Sequence, residues 1–221
     1  MVTSQGKKIA VVLSGCGFLD GSEVTEAISV LIALHQAGAT PSCFAPSIEA
    51  PGMNHLSGEP LPNPRNVLEE SARIARREVK DLRELDAHQF DAVIFPGGYG
   101  AAKNLSTWGF AGAKGKVHPE VERVLKDFRR SDKPIGAICI APALLALLFG
   151  SDGITITIGN DPTTAAEIEK TGAHHEICPV NDYVTDREHK IVTTPAYMYE
   201  SRPDLVFQGI SGLVRELVEM S

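Results

Sequence analysis

Apolar runs alternate along the chain with glycine-rich turns and amphipathic stretches. The runs 8–13, 91–95 and 134–139 contain almost no polar residue, and a turn rich in small residues follows each of them. A short run that is apolar throughout predicts a strand covered on both faces, whereas apolar residues spaced i, i+3, i+4 and i+7 predict an amphipathic helix. On these criteria the predicted strands are 8–13, 42–45, 91–95, 134–139, 155–158 and 190–193, and the predicted helices are 23–37, 67–79, 143–149, 204–220 and a segment around 121–128.

The order of these elements predicts the fold class. Strands that alternate with helices favour right-handed βαβ crossovers and a mostly parallel sheet covered by helices on both faces. No internal repeat or linker-like change of composition interrupts the chain, so we expect a single domain over residues 1–221. Residues 52–81 fit the alternation less well and are predicted to form an insertion that holds the helix 67–79.

Charge and hydropathy exclude two classes of partner. The 221 residues include 21 Lys and Arg against 28 Asp and Glu, and a net charge of -7 argues against binding to nucleic acid. The longest uncharged apolar stretch, 135–150, contains a proline and is shorter than the roughly 17–25 residues that span a bilayer. The sequence therefore predicts no membrane association.

The cysteines and the first residues bear on the compartment. Four cysteines are scattered without the spacing of a disulfide framework or a zinc site, which is typical of free thiols in a reducing compartment. Residues 1–8 are polar and contain no apolar leader segment, so we predict a cytoplasmic protein. A transit peptide that had already been removed would leave no trace in this sequence.

Three loops at predicted strand ends are candidates for a ligand site, because ligands of parallel sheets bind at the carboxyl ends of the strands. The first loop contains Gly15 and Gly17, but Asp20 occupies the third glycine position of the dinucleotide pattern, so we expect no nicotinamide cofactor. His174 and His175 are adjacent in sequence and would face opposite sides of a strand. No metal site is therefore predicted.

Cys139 is the strongest candidate for chemistry. It lies where a predicted strand turns into a helix, and Ala137 and Ala141 stand at the two positions where a nucleophile elbow requires small residues. The amino terminus of the following helix would favour a thiolate. Cysteine is also a frequent core residue in apolar surroundings, so the local sequence leaves a purely structural role open.

Two glutamates begin the first predicted helix and are assigned different roles. Glu23 is expected to complete a helix-capping arrangement with Asp20. Glu26 lies one turn further along beside apolar residues, where a carboxyl group gains a raised pKa and can share a proton with sulfur. Cys16, between two glycines, is either a second thiol at the same site or a loop cysteine without a role.

Several motifs, taken in order, resemble one known family. They are Ser14 to Gly17, Asp20 to Ala27, Pro96 to Leu105, Cys139 to Ala143 and Ile191 to Met198. These motifs extend over nearly the whole chain, and together they resemble those of ElbB, the isoprenoid-biosynthesis glyoxalase family of the PfpI superfamily. This resemblance implies a flavodoxin-like three-layer sandwich of the class I glutamine amidotransferase-like type.

The resemblance also implies an activity and a set of site residues. The implied reaction is cofactor-independent conversion of glyoxal to glycolate, or a related attack on aldehyde adducts. Cys139 would be the nucleophile and Glu26 its carboxylate partner, with the amides of Gly98 and Ile140 forming an oxyanion site. Further residues expected to bind substrate are Gly97, Cys16 and Asn104. A small aldehyde is the expected ligand and a homodimer the expected assembly.

The chain departs from the wider superfamily in one respect. Relatives often carry histidine directly after the cysteine, where this chain has Ile140, and another histidine beyond a later strand, where it has Asn160 or Asp161. Proton transfer would then fall mainly to Glu26. Two other hypotheses remain open at this level: a redox-responsive or partner-binding protein with an oxidisable cysteine, and a hydrolase of small amides.

Overall fold

The computed structural model describes residues 6–221, in which strands and helices alternate. The strands are β1 (Lys8–Val12), β2 (Thr40–Ala45), β3 (Glu49–Ala50), β4 (Arg65–Asn66), β5 (Val79–Asp81), β6 (Ala92–Phe95), β7 (Ile135–Ile138), β8 (Thr155–Ile156), β9 (His174–His175), β10 (Val184–Asp186) and β11 (Ile191–Thr194). The α-helices are α1 (Val24–Gln36), α2 (Val67–Ile74), α3 (Tyr99–Lys103), α4 (Trp108–Ala111), α5 (Pro119–Arg130), α6 (Pro142–Phe149), α7 (Pro162–Glu169) and α8 (Pro203–Met220). The leader prediction rested partly on residues 1–5, which lie outside the described residues.

Seven strands form the main sheet, in the order β10, β11, β7, β6, β1, β2, β5. Neighbouring strands run parallel except for β10, which pairs with β11 in antiparallel register at the edge. The central strands β1, β6 and β7 are buried along almost their whole length, as their uniformly apolar sequences predict.

Helices cover both faces of this sheet. On one face α1 and α8 pack against each other and against side chains such as Ile9, Val11 and Ile94. On the other face α5 and α6 enclose a second cluster that includes Val93, Phe95 and Phe128. The predicted α/β, flavodoxin-like three-layer sandwich is thereby confirmed. Among residues 6–221, none of the helices has the length and apolar character needed to cross a bilayer.

Two predictions of secondary structure need correction. The strand expected at 155–158 is reduced to β8, which pairs with β9 in a separate two-stranded sheet. The helix expected at 67–79 ends at Ile74, because Arg76 and Arg77 adopt positive φ angles of 50° and 76°, which an α-helix does not allow. The region 52–81 is therefore only in part an insertion, since β5 adds to β2 at the edge of the main sheet.

The strand order determines where the candidate residues meet. The adjacent strands β11, β7, β6 and β1 run in the same direction, so their carboxyl ends lie at one edge of the sheet. The loops that follow these four strands contain, or lead directly into, most of the residues predicted to form a site.

Candidate active site

Cys139 lies in a strained turn between β7 and α6. Its φ angle is +61°, a left-handed conformation that a residue with a side chain adopts only at a cost, and such strain is typical of nucleophile elbows. The turn is held because the Cys139 amide donates to the Thr194 carbonyl oxygen at 2.9 Å. Ala137 and Ala141 on either side are fully buried, which explains why small residues are required there.

Glu26 is held beside Cys139 by two other segments of the chain. It lies in the first turn of α1 with no exposed surface. Its Oε2 accepts a hydrogen bond from the Gly97 amide at 2.9 Å, and its Oε1 accepts one from the Tyr197 amide at 3.2 Å. Its carboxyl group lies close to the Cys139 thiol, since a Cβ atom at Gly97 would be 2.7 Å from Glu26 Oε2 and 2.4 Å from the Cys139 Cβ. The geometry therefore brings together the carboxyl group and the thiol expected from the sequence.

Burial changes the acidity of both groups. Loss of hydration, reinforced by the nearby Glu23 carboxylate, raises the pKa of Glu26 to about 8. Burial, followed by the charge of Glu26, raises the pKa of the Cys139 thiol well above its ordinary value. Burial thus opposes the thiolate that the amino terminus of the following helix was expected to favour. In this site a buried carboxyl group is the group that titrates near neutral pH.

Two backbone amides face the Cys139 sulfur. The N–H groups of Gly98 and Ile140 interact with the thiol and lower its pKa, which partly opposes the effect of burial. Gly98 has a φ angle of +90°, and a Cβ atom there would lie 2.4 Å from the Gly21 carbonyl oxygen, so only glycine fits. Donors in this position can stabilise an oxyanion that forms on a carbon attached to the sulfur.

The Cys139 thiol borders a cavity of about 380 Å³. Apolar and aromatic side chains form much of its wall, among them Phe18, Tyr99, Trp108, Ile140 and Met198. A second cavity of about 530 Å³ adjoins it, since both are lined by Phe18, Glu23, Tyr197 and Met198. Together they provide a concave site of the size that binds small organic molecules.

The structure does not bring every predicted site residue to this cavity. Cys16 lines a separate, smaller cleft with Arg65 and Glu70, because the 15–21 turn folds back on itself through the Gly17 amide and the Ser22 carbonyl oxygen. The prediction of Cys16 as a second thiol at the site is therefore wrong. Sequence alone could not have shown in which direction this turn folds.

Two further predicted residues hold the site together instead of lining it. Asn104 is buried, and its Nδ2 donates to the carbonyl oxygens of Ser14 at 2.9 Å and Asp20 at 2.8 Å, so it fixes the first loop. Gly97 uses its amide to hold Glu26, and a Cβ atom at this position would lie 2.4 Å from the Cβ of Cys139. The predicted substrate contacts of Asn104 and Gly97 are thus replaced by positioning contacts.

Sequence reasoning from composition and spacing missed other parts of the site. The Tyr197 amide lies just after β11, in a segment that only the resemblance to the ElbB family had singled out. The aromatic wall from Trp108 and the threonines of α7 come from segments without a recognisable motif. For metal binding, residues 6–221 contain no cluster of three or more His, Cys, Asp or Glu side chains arranged as ligands.

Comparisons with known proteins reveal close relatives over the full length of the chain. A human protein named glutamine amidotransferase-like class 1 domain-containing protein 3, mitochondrial, is 43% identical over 225 residues, which cover 97% of this chain and 83% of that protein. A rat protein named ES1 protein homolog, mitochondrial, is 42% identical, with 97% and 84% covered.

Solved structures give the same result for the fold. A structure titled isoprenoid biosynthesis protein with amidotransferase-like domain, from Ehrlichia chaffeensis, has a TM-score of 0.91 at 35% identity and covers 97% of this chain and 99% of that one. Drosophila melanogaster DJ-1beta has a TM-score of 0.59 at 18% identity, covering 96% and 91%, and this likeness concerns the fold alone.

The family model matches the part of the chain that contains the elbow. Residues 72–194, which include Cys139 and the glycines that precede α3, match the model described as the DJ-1/PfpI family. Glu26 lies before the matched segment and reaches it only through the packing of α1. With this match, and with relatives more than 40% identical over nearly all of its length, the chain belongs to the DJ-1/PfpI family.

Proposed function

We propose that this protein is a cofactor-independent glyoxalase of the ElbB type, which converts glyoxal to glycolate through a hemithioacetal on Cys139. The observation that carries the proposal is that Cys139 borders a cavity while Glu26, whose pKa is about 8, lies fully buried beside it. A carboxyl group of this pKa can take up and return a proton near neutral pH.

The first half of the reaction is nucleophilic attack. Ionised Glu26 accepts the thiol proton, and the Cys139 sulfur forms a bond to one aldehyde carbon of glyoxal. The carbonyl electron pair moves to oxygen, which the Gly98 and Ile140 amides stabilise as an alkoxide. Protonation of that oxygen by Glu26 gives the hemithioacetal and regenerates the carboxylate.

The second half moves two electrons between the two carbons of the substrate. Glu26 removes the C–H proton from the hemithioacetal carbon, and the resulting enediol takes a proton at the other carbon. The first carbon is thereby oxidised to a thioester, while the second is reduced to an alcohol. Water then hydrolyses the thioester, which releases glycolate and restores the thiol. The balance requires one water molecule and no external electron carrier.

The two alternative functions have less support from the geometry. Reversible oxidation and attack on an aldehyde both need the Cys139 thiolate, but only the aldehyde reaction also uses the amides of Gly98 and Ile140 and the Glu26 carboxyl group. Hydrolysis of an amide needs an acid that protonates the leaving amine, and among the described residues no histidine lines either cavity. The aldehyde reaction has no amine leaving group and therefore places no such demand on the site.

Steady-state turnover of glyoxal, with glycolate quantified by NMR, tests the proposal. We expect turnover by the wild type and at least a hundredfold loss in Cys139→Ser and Glu26→Gln, because removal of a nucleophile or a general base costs about 10²-fold or more. Cys16→Ser is the matched control, since its thiol lies in a different cleft. Wild-type turnover equal to that of Cys139→Ser would refute the proposal.

The cytoplasmic location predicted from the sequence stays a prediction. Cys16, Cys43, Cys139 and Cys178 are free thiols, which suits a reducing compartment. Such an environment is compatible with the predicted cytoplasm and equally with the mitochondria named for the human and rat relatives. Fractionation of cells that express the protein with a carboxyl-terminal tag distinguishes the two.

A further inference from the structure

The two adjoining cavities at Cys139 are lined by acidic side chains and lack basic ones. Glu23 and Glu167 line the first cavity, and Glu23 and Glu200 line the second. Within residues 6–221, neither lining set contains a lysine, arginine or histidine. A negatively charged ligand would therefore find no counter-ion among the lining residues, and Lys103, which follows Ala102 of the wall, places its ammonium over the Tyr99 ring, 4.7 Å from the centroid.

Of these carboxylates, Glu23 is the one whose charge acts on Glu26. Its Oε2 accepts a hydrogen bond from the Glu26 amide at 2.7 Å, and its charge raises the pKa of both Glu26 and Tyr197. Glu167 differs, because Lys170 and the Ala113 amide hold its two oxygens. The side chain of Glu23 thus caps α1 and also places a negative charge where the two cavities meet.

The size of the site is informative as well. Glyoxal has four heavy atoms, whereas the two cavities measure about 380 and 530 Å³. Trp108, Tyr99 and Phe18 offer aromatic surface beyond the sulfur. A ligand that uses this surface carries an apolar or aromatic group attached to its reactive carbon.

We propose that the site selects neutral or cationic carbonyl compounds with an apolar arm and excludes anionic ones, and that Glu23 is the residue that determines this specificity. An anion brought next to Glu23 loses hydration, meets a like charge and gains no cation in return. The aldehyde part of this inference rests on the proposed function. The exclusion of anions concerns any reagent that reaches Cys139.

Alkylation of Cys139 tests the exclusion without any turnover. Iodoacetamide and iodoacetate have nearly the same size, share a leaving group and react with the same thiolate. Both rates are proportional to the fraction of thiolate, so the ratio of the two rates does not depend on that fraction. At pH 7, where Glu26 is mostly protonated, mass mapping gives the ratio for Cys139 and for a cysteine in an unstructured peptide. We expect the rate with iodoacetamide divided by the rate with iodoacetate to be about tenfold larger for Cys139 than for the peptide cysteine. A nearby negative charge produces an effect of about this size.

Substitution of Glu23 identifies the source of the selectivity. Glu23→Gln keeps an oxygen that can accept from the Glu26 amide, and it is expected to lower the ratio about fivefold. Glu219→Gln is the matched control, because it removes the same charge near the carboxyl terminus, where the Ser221 carbonyl oxygen accepts a hydrogen bond from Lys7, just before β1. An unchanged ratio in Glu23→Gln, a peptide-like ratio in the wild type, or no alkylation by iodoacetamide would overturn the inference.

A matched pair of substrates extends the test to the aldehyde arm. Phenylglyoxal is neutral, and 4-carboxyphenylglyoxal adds only a carboxylate at the far end of the ring. We expect kcat/KM to favour phenylglyoxal by tenfold or more in the wild type and by less in Glu23→Gln. Equal kcat/KM values would overturn the inference, whereas absence of turnover with these compounds and with glyoxal would refute the proposed function and leave the alkylation result to decide on charge selection.

Discussion

Glu26 couples the proposed chemistry to the stability of the fold. Its carboxyl group has no exposed surface, and both of its oxygens accept backbone hydrogen bonds, from Gly97 and Tyr197. Its position is therefore fixed by contacts from two other loops. Its pKa of about 8 has measurable consequences for rate and for folding, which can be tested separately.

Turnover of glyoxal is expected to depend on pH through Glu26. In the proposed reaction the Glu26 carboxylate is the base, and its pKa is about 8, so kcat/KM should rise between pH 6 and pH 9 with an inflection near 8. Stopped assays of glycolate in buffers of constant ionic strength measure this profile. A profile that falls over the same range would assign the essential base elsewhere.

Stability is expected to change with pH in the opposite direction. The pKa of Glu26 is raised from 4.5 to about 8 on folding, so the folded protein holds a proton that the unfolded chain releases. The stability that Glu26 contributes is fully present below pH 4.5 and is lost as pH rises to about 8. Between these two values the free energy of unfolding is expected to fall by ~1.4 kcal/mol for each pH unit.

Chemical denaturation of the wild type and Glu26→Gln at pH 5, 6.5 and 8 measures this effect. The glutamine side chain does not titrate, so the advantage of the wild type over the variant should shrink as pH rises. A difference in free energy of unfolding that stays constant across the three pH values would argue against a raised pKa in the folded protein.

At the scale of elements, the loop between β6 and α3 determines how closely the side chains of Cys139 and Glu26 approach each other. A Cβ atom at Gly97 would lie 2.4 Å from the Cβ of Cys139, 2.7 Å from Oε2 of Glu26 and 2.8 Å from the Ile138 carbonyl oxygen. No side chain fits there without displacing the pair. The pattern of two consecutive glycines thus reflects the packing of α1 and α6 against this loop.

Gly97→Ala is accordingly expected to destabilise the protein by about 1–3 kcal/mol, the usual cost of an overpacked core, and to abolish most turnover. Urea denaturation and the glycolate assay measure the two effects. Gly58→Ala is the control, since its φ angle is +75° but no atom lies within 4 Å of the added Cβ, so only backbone strain is introduced. Similar losses of activity in both variants would show that packing at Gly97 is not the cause.

At the scale of the whole molecule, α1 carries an apolar stripe that faces solvent. Val24, Ile28 and Ile32 recur every four residues and are 42%, 37% and 45% exposed. A regular stripe of this kind is typical of a surface that packs against another protein. It suits the homodimer expected from the sequence.

If the stripe forms that dimer, Ile28→Glu should shift the protein toward the monomer. Light scattering after gel filtration measures the mass of each species. Ile177→Glu introduces the same charge at a residue that is 73% exposed outside α1, and it should leave the mass unchanged. A monomeric wild type would contradict the predicted assembly.

Independence from cofactors is a second expectation for the whole molecule. The proposed reaction moves electrons only between two carbons of the substrate, so glyoxal turnover should survive dialysis against a chelator and need neither nicotinamide nor glutathione. Loss of activity that a divalent metal restores would contradict this. The candidate metal ligands would then be His174, His175 and Glu176, which are consecutive in the sequence.

The pattern of apolar and polar residues already determined the fold class and pointed to Cys139 as the candidate nucleophile. Runs such as 8–13 and 134–139 have to be covered on both faces, and an alternation of such runs with helices permits few arrangements other than a parallel sheet between helical layers. Cys139 was visible because an elbow requires small neighbours close along the chain.

Tertiary structure decided what depends on long-range packing. The shift in the pKa of Glu26 arises from burial against loops that follow β6 and β11, more than 70 residues away. Cys16 and Gly97 lie in loops that follow strands, as the sequence predicts, and Asn104 follows α3, but the direction in which each group points follows from contacts across the sheet edge. Local sequence constrains backbone conformation and burial, whereas the direction, hydration and charge of a side chain depend on neighbours that only the folded chain brings together.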